Sequence, residues 1–447
     1  MRIGLIGAGF AAGLHLRAYR ACGRPTARVV ALAGARLDRA RRVAGEYGIA
    51  DAYDDYRRIL DRPDVDVVDL CAPNHLHERM ALDALAAGKH LIIEKPLTGY
   101  FGPSLARQAE PAAADGATGK GTAAPLFDAA SDAAAVGGTS RVTMLREALR
   151  SADAILAAAG VPPESDGPAG DGLSGSTGST GSRDTAPLLM YAENFVYAPS
   201  IQRAKGLIAT ADAPILEIRA QECHSGSHAA YAKRWREAGG GALLRLGAHP
   251  IGAALHLKRW EGTLRGSGPI RLRSVTCETT DLTRLPAFRA QSAAQRQWLV
   301  HDWEDVENWA CALLTFEDGS RATCLASDAV LGGMDDTVQV YLANARINCN
   351  FTHSSALTVY APDATVFPGE PLQEKLSTNA GWSYPAIDME YMLGYAPEIQ
   401  DFVAAVAEHR PPVSDAGLGR AVVEAIYCAY LSAAEGRRID LPVHLPA

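Results

Sequence analysis

The residues best placed to do chemistry stand at the start of the chain. Arg2-Ile3-Gly4-Leu5-Ile6 reads as a short buried strand running into Gly7-Ala8-Gly9-Phe10-Ala11-Ala12-Gly13. Gly7 permits a tight turn out of the strand, Gly9 lets the backbone approach a pyrophosphate, and Ala12 holds the third fingerprint position, where Ala is accepted. A helix from about Ala11 to Tyr19 aims its N-terminal amides and positive dipole end at the anion. A Gly-rich turn also occurs for purely structural reasons. The strand before it, the helix after it and a second strand over Arg28–Ala33 favour dinucleotide binding.

Two further strand ends carry polar groups. Val65 to Leu70 ends at Cys71-Ala72-Pro73-Asn74, and His90 to Ile93 delivers Glu94-Lys95-Pro96. Ligands of open parallel sheets sit at the carboxyl ends of the strands, which places Pro73, Asn74, His75 and His77 near the nicotinamide half of a dinucleotide. An alcohol that gives hydride to nicotinamide needs a base for its hydroxyl proton. Lys95 could be that base if desolvation and neighbouring positive charge lower its pKa, or it could be a surface lysine paired with Glu94. Gly34, followed by Arg36 and Arg39, stands where an NAD-preferring turn carries an acid, so a ribose 2′-phosphate meets no repulsion and NADP is tolerated.

The elements that must hold these groups follow from the pattern. Helices over Ala40 to Tyr47 and His77 to Ala87 alternate with the strands, the βαβ signature of a doubly wound sheet. A last strand, Leu188 to Glu193, closes a Rossmann domain over 1–198. The remainder, 199–447, reads as an α+β domain with a large, open, mostly antiparallel sheet, from strands at Ile215, Leu272, Trp309, Ser320, Thr337 and Arg346, with helices over Ala242 to Leu257, Pro397 to Glu408 and Ala416 to Ala433. Two low-complexity insertions, about 99–139 and 160–186, flank a helix from Ser140 to Ala159; they suit surface decoration, with a lid or a partner-binding arm as the alternative.

At 447 residues and net charge −8, with basic residues scattered, the chain carries no nucleic-acid footprint. It shows no membrane span and no signal-peptide pattern, which suggests a cytoplasmic protein. Eight cysteines without CxxC spacing suit reduced thiols. His224, His228 and His249 invite a metal, but spacing alone is poor evidence for ligands, and none is expected.

Taken together, Gly7 to Ala12, Pro73-Asn74 with His77, Ala87-Gly88-Lys89-His90, Glu94-Lys95-Pro96, Glu193-Asn194-Phe195-Val196-Tyr197-Ala198-Pro199, and Gly239-Gly240-Gly241-Ala242-Leu243 with Gly247 and His249 resemble the glucose-fructose oxidoreductase/inositol dehydrogenase/rhizopine catabolism (Gfo/Idh/MocA) family. The resemblance implies NAD or NADP as cofactor, with Gly7, Gly9, Phe10, Ala11, Ala12, Gly34, Arg36, Pro73, Asn74, His77, Glu94 and Lys95 around it. It implies Lys95 as catalytic base and His249 as its partner on a secondary hydroxyl of a sugar, polyol, cyclitol or glycoside, in the narrowest case a glucoside C3 hydroxyl. Tyr197, His224, Arg234 and Trp235 become candidate walls for that substrate, and a homo-oligomer is expected through the open sheet.

The chain departs from the family at two places. Arg245 replaces an aspartate usual four residues before the histidine, and Gly252 one often seen three residues after it. Arg245, read on one helical face with His249, could keep Lys95 neutral, grip substrate oxygens, or signal loss of catalysis. Two alternatives therefore stay open: NAD-dependent glycoside hydrolysis by internal oxidation and elimination, and a non-catalytic dinucleotide-sensing regulator.

Overall fold

The computed structural model describes residues 1–22, 26–102, 139–162, 186–351, 359–363, 378, 380–383 and 389–443. The two low-complexity insertions lie almost wholly outside these residues. Strands β1 (Arg2–Ile6), β2 (Arg28–Ala33), β3 (Asp51–Tyr53), β4 (Val67–Leu70), β5 (His90–Glu94) and β6 (Leu189–Ala192) form a six-stranded sheet in the order β3-β2-β1-β4-β5-β6, parallel throughout. All four residues of β4 and of β6 are buried, as in strands covered on both faces.

The second sheet contains β7 (Ile215–Cys223), β8 (Leu272–Thr280), β9 (Trp309–Phe316), β10 (Arg321–Ser327), β11 (Asp335–Leu342) and β12 (Arg346–Asn350). A hairpin of β13 (Val359–Ala361) and β14 (Gly381–Ser383) stands apart, and β15 (Ile439–Asp440) closes the large sheet in the order β12-β11-β7-β10-β9-β8-β15. Only β7 and β10 pair in parallel. Residues of β9 and β11 alternate buried and open, so one face packs on the helix Ala248–Leu264 while Leu216, Leu313 and Arg321 remain exposed on the other.

Arg141–Ala158 is helical as the periodicity indicates, with the Ser140 hydroxyl accepting from the Thr143 N–H at its start. Its buried face, including Leu145, Ala152 and Leu156, meets the helices Ala416–Glu435 and His77–Ala86. Ala416–Glu435 also packs against β8, so the last long helix joins the two sheets.

One expected helix is broken. Residues 242–257 form two helices, Ala242–Arg245 and Ala248–Leu264. Pro250 is the physical reason. Within a continuous helix its ring would clash with the Leu246 carbonyl, whereas near the start of a new helix its missing N–H costs nothing. The His249 N–H bonds to the Leu246 carbonyl, and the carbonyl of Arg245 is left without its helical donor.

Candidate active site

The carboxyl ends of β1, β2, β4, β5 and β6 lie along one edge and bring the predicted groups together. Gly7 has φ +121°, and a Cβ there would stand 2.3 Å from the carbonyl oxygen of Cys71, so the turn closes against the end of β4. Around the Cβ position of Gly9 there is open space. The helix Phe10–Ala21 has no side chain capping its first turn, so its leading amides remain available, and Phe10 is exposed. An open cradle with free amides at a helix N-terminus fits a pyrophosphate.

Lys95, partly buried at the end of β5, donates from Nζ to the carbonyl oxygen of Arg245 at 2.7 Å. That is the carbonyl released by the helix break. The Arg245 side chain points elsewhere. Its guanidinium pairs with buried Asp328 and lies 5.1 Å over the Trp303 ring. The expectation that Arg245 and His249 share a helical face is thereby corrected, because Leu246 and Gly247 separate the two helices. The positive charge expected to act on Lys95 is met locally by Asp328.

His249 is held from three sides. Its Nδ1 lies 2.6 Å from Glu193 Oε1, its Nε2 lies 3.6 Å from Glu222 Oε2, and its ring stacks on Phe195 with centroids 4.9 Å apart. Glu193 follows β6 and Glu222 lies on β7, so the histidine bridges carboxylates from both sheets. Its Nδ1–H donates to Glu193, which leaves Nε2 as the ring acceptor in the neutral form.

Behind the edge lies a buried polar core. His15 Nδ1 is 2.9 Å from Asp69 Oδ2, and its Nε2 is 3.1 Å from Glu94 Oε1. Burial alone would lower the His15 pKa, but Asp69 and Cys71 carry it well above the ordinary value. Burial pushes the Glu94 carboxyl up, and the hydrogen bond and charge of His15, with Lys95 and His249 adding, hold it below the usual range. Tyr19 Oη donates to Asp69. Glu398 completes the group from the helix Tyr395–Glu408; burial and the nearby Glu94, Glu193 and Asp69 push its carboxyl well up against the opposing His15.

Not every predicted residue reaches the edge. Both ring nitrogens of buried His77 lie 2.9 Å from carbonyl oxygens, of Pro96 and Ala72, so it ties the end of β4 to the loop after β5. Asn74 donates to the Ala238 carbonyl. Tyr197 donates to Asp401 and accepts from the Ser414 N–H, and Trp235 is a core residue, 1% exposed, bonded to the Tyr100 carbonyl. Neither forms the expected sugar wall. Arg234 pairs with Glu237. His224 is buried beside Asp328 at 3.4 Å and accepts the Gly226 N–H at 2.9 Å, while His228 is exposed. Among the described residues, the side chains close enough to share a metal are His15, Asp69 and Cys71 rather than the three histidines. Burial pushes the Cys71 thiol up, against thiolate formation.

Residues 1–110 match the model of an oxidoreductase family with an NAD-binding Rossmann fold, and residues 202–348 match the Gfo/Idh/MocA C-terminal domain, in chain order and across more than half the chain. The chain belongs to the Gfo/Idh/MocA family. It is 41% identical over 105 residues to levoglucosan dehydrogenase of Pseudarthrobacter phenanthrenivorans, which is 22% of this chain and 26% of that protein. It is 39% identical over 97 residues to D-glucoside 3-dehydrogenase of Escherichia coli, 22% of this chain and 27% of the relative. The alignments thus span about a quarter of the length of these curated relatives. Among solved structures, GenD2 from gentamicin A biosynthesis in complex with NAD superposes with TM-score 0.69 at 22% identity, over 99% of this chain and 97% of that one. Levoglucosan dehydrogenase in complex with NADH gives 0.63 at 21%, over 99% of each. These likenesses are of fold.

The Gfo/Idh/MocA resemblance singled out Lys95 and His249 but not what holds them. Glu193 stands inside a quoted motif without a stated role, and Glu222, Asp328 and Glu398 carry no local pattern. Pro250, immediately after His249, was the available signal for the helix break.

Proposed function

We propose that the protein is an NAD(P)-dependent dehydrogenase that oxidises a secondary hydroxyl of a sugar, cyclitol or glycoside to a ketone. The observation that carries this reading is Lys95 bonded at 2.7 Å to the Arg245 carbonyl, four residues before His249, on the sheet edge that also carries the open phosphate turn. The nicotinamide, when bound, supplies the hydride acceptor. Gly7, Gly9 and the amides of Phe10, Ala11 and Ala12 would hold the pyrophosphate. Lys95 Nζ receives the hydroxyl proton, aimed by its bond to the Arg245 carbonyl. His249 is the second group assigned to that hydroxyl, and its Nε2 would share the proton. The Arg245–Asp328 pair, with His224 behind it, forms the polar wall on the side of the large sheet. The named relatives favour a carbohydrate ring, and glucoside C3 is the narrowest form of the proposal. The open face of the large sheet is the surface for self-association. No described helix is long and apolar enough to cross a membrane, and a cytoplasmic location is part of the proposal.

The test is absorbance at the reduced-nicotinamide band during a screen of sugars, cyclitols and glycosides with NAD and NADP. Turnover of a carbohydrate alcohol supports the reading. Tight dinucleotide binding with no turnover across the panel would favour a sensor, and a free aglycone with no net reduction would favour glycoside cleavage.

A further inference from the structure

Two of the three groups around His249 come from one short segment. Glu193 takes its Nδ1 at 2.6 Å, and Phe195, two residues on, covers its face at 4.9 Å with the rings within 17° of parallel. Glu193 is fully buried, and its second oxygen, Oε2, has no hydrogen-bond partner among the described residues. That oxygen points at Gly252, one turn along the histidine's own helix. A Cβ at Gly252 would lie 3.1 Å from both Cγ and Oε2 of Glu193. The glycine is therefore the space in which the carboxylate sits.

We propose that Glu193 is the positioning residue of the reaction: it holds the His249 proton on Nδ1, leaves Nε2 free to take a proton, and occupies the volume that Gly252 vacates. This rests on the proposed role of His249 in proton sharing. The imidazole has two ring nitrogens, and the hydrogen bond at one sets what the other can do. A buried carboxylate at 2.6 Å accepts a charge-assisted bond and cannot donate, so it selects the Nδ1–H form. Glu222, 3.6 Å from Nε2, then lies where it stabilises the ring once Nε2 has gained a proton. Glu193 touches no reacting atom; it acts through the histidine.

The geometry yields a swap that no purely structural role would obey. In Glu193→Ala the ring loses its acceptor, and kcat should fall by roughly 10²–10⁴-fold, the range of a general acid-base contribution, with KM within about threefold of wild type. Gly252→Asp alone places a second group on Glu193 and should also lose activity. The double variant Glu193→Ala/Gly252→Asp returns a carboxylate to the same volume from the helix, and should recover at least about tenfold of the kcat lost in the alanine variant, a partial return toward that range.

Ring-nitrogen NMR of the histidine-labelled full chain, with the His249 signals assigned by their loss in His249→Gln, reads the tautomer without turnover. Wild type should show Nδ1–H with a bare Nε2, and Glu193→Ala a shift toward Nε2–H. An Nε2–H form in wild type, or an Nδ1–H form that survives in Glu193→Ala, would overturn the proposal. If the alanine variant does not fold, the wild-type tautomer alone decides. A panel without any turnover would sink the dehydrogenase reading while leaving the tautomer result to stand or fall on its own.

Discussion

Lys95 meets Arg245 through the backbone and not through the side chain: its Nζ donates to the Arg245 carbonyl at 2.7 Å, while the guanidinium is committed to Asp328. The chain of cause starts in the sequence. Pro250 forces a helix restart, the restart leaves a carbonyl without its donor, and that carbonyl fixes the lysine. Lys95→Ala should therefore remove the proton acceptor, lowering kcat by at least about 10²-fold. Dinucleotide affinity should change little, because the phosphate turn lies on β1. Fluorescence titration beside steady-state rates checks both, and a variant that keeps most of its turnover would exclude Lys95 as the base.

Arg245 behaves as half of a buried ion pair. Removing one partner of such a pair leaves an uncompensated charge and costs about 3–5 kcal/mol. Arg245→Asp, which by sequence would return the family's carboxylate, instead places two carboxylates together and should destabilise by at least that much. Arg245→Met/Asp328→Asn should recover most of the loss seen in Arg245→Met. Urea denaturation measures both. Equal stability of Arg245→Asp and wild type would show that the pair with Asp328 does not form in solution.

The preference between cofactors depends on the end of β2. A Cβ at Gly34 would stand 3.2 Å from that of Ala8 in the phosphate turn, so an acid here has little room. Arg36 is exposed at the start of the next helix, and the Nε of Arg39 is buried without a hydrogen-bond partner among the described residues. NADP should bind within about tenfold of NAD, a difference of about 1.4 kcal/mol. Gly34→Asp should weaken both and NADP more. Dissociation constants by calorimetry test this, and strong exclusion of NADP by wild type would refute it.

Much of the first domain was legible because its signals are local. The strand, turn and helix from Arg2 to Ala21, and the strand ends at Leu70 and Glu94, each declare themselves within a few residues. The large sheet was also readable from alternation, whereas the two-residue β15 is too short to carry a period. The supports of the site were hidden for a different reason. Glu193 and Glu222 approach His249 from separate sheets across 56 and 27 residues of sequence, and no spacing rule joins them. The aromatic candidates show the opposite error. Tyr197 and Trp235 have the right chemistry for a sugar ring, but burial had already claimed them for the core.

Glu398 gives the pH dependence its clearest handle. The side chain is fully buried, and neither carboxyl oxygen has a hydrogen-bond partner among the described residues. Burial, with Glu94 on β5, Asp69 on β4 and Glu193 after β6, drives its pKa well up, and His15 on the helix Phe10–Ala21 only partly opposes this. The folded protein thus keeps the proton that the unfolded chain releases near pH 4.3, the ordinary glutamate value. With more protons bound in the folded state, the slope of stability against pH is negative above that point. The contribution is fully present below about pH 4.3 and is lost as pH rises toward the folded pKa, at about 1.4 kcal/mol per pH unit. Glu398→Gln has no proton to keep, so it should gain on wild type as pH rises toward the folded pKa, in the window above about pH 5 where the unfolded glutamate is ionised. Melting temperatures of the two proteins across that window decide it. A constant difference across that window would mean that Glu398 is ionised in the fold as it is in the unfolded chain, and would sink the reading.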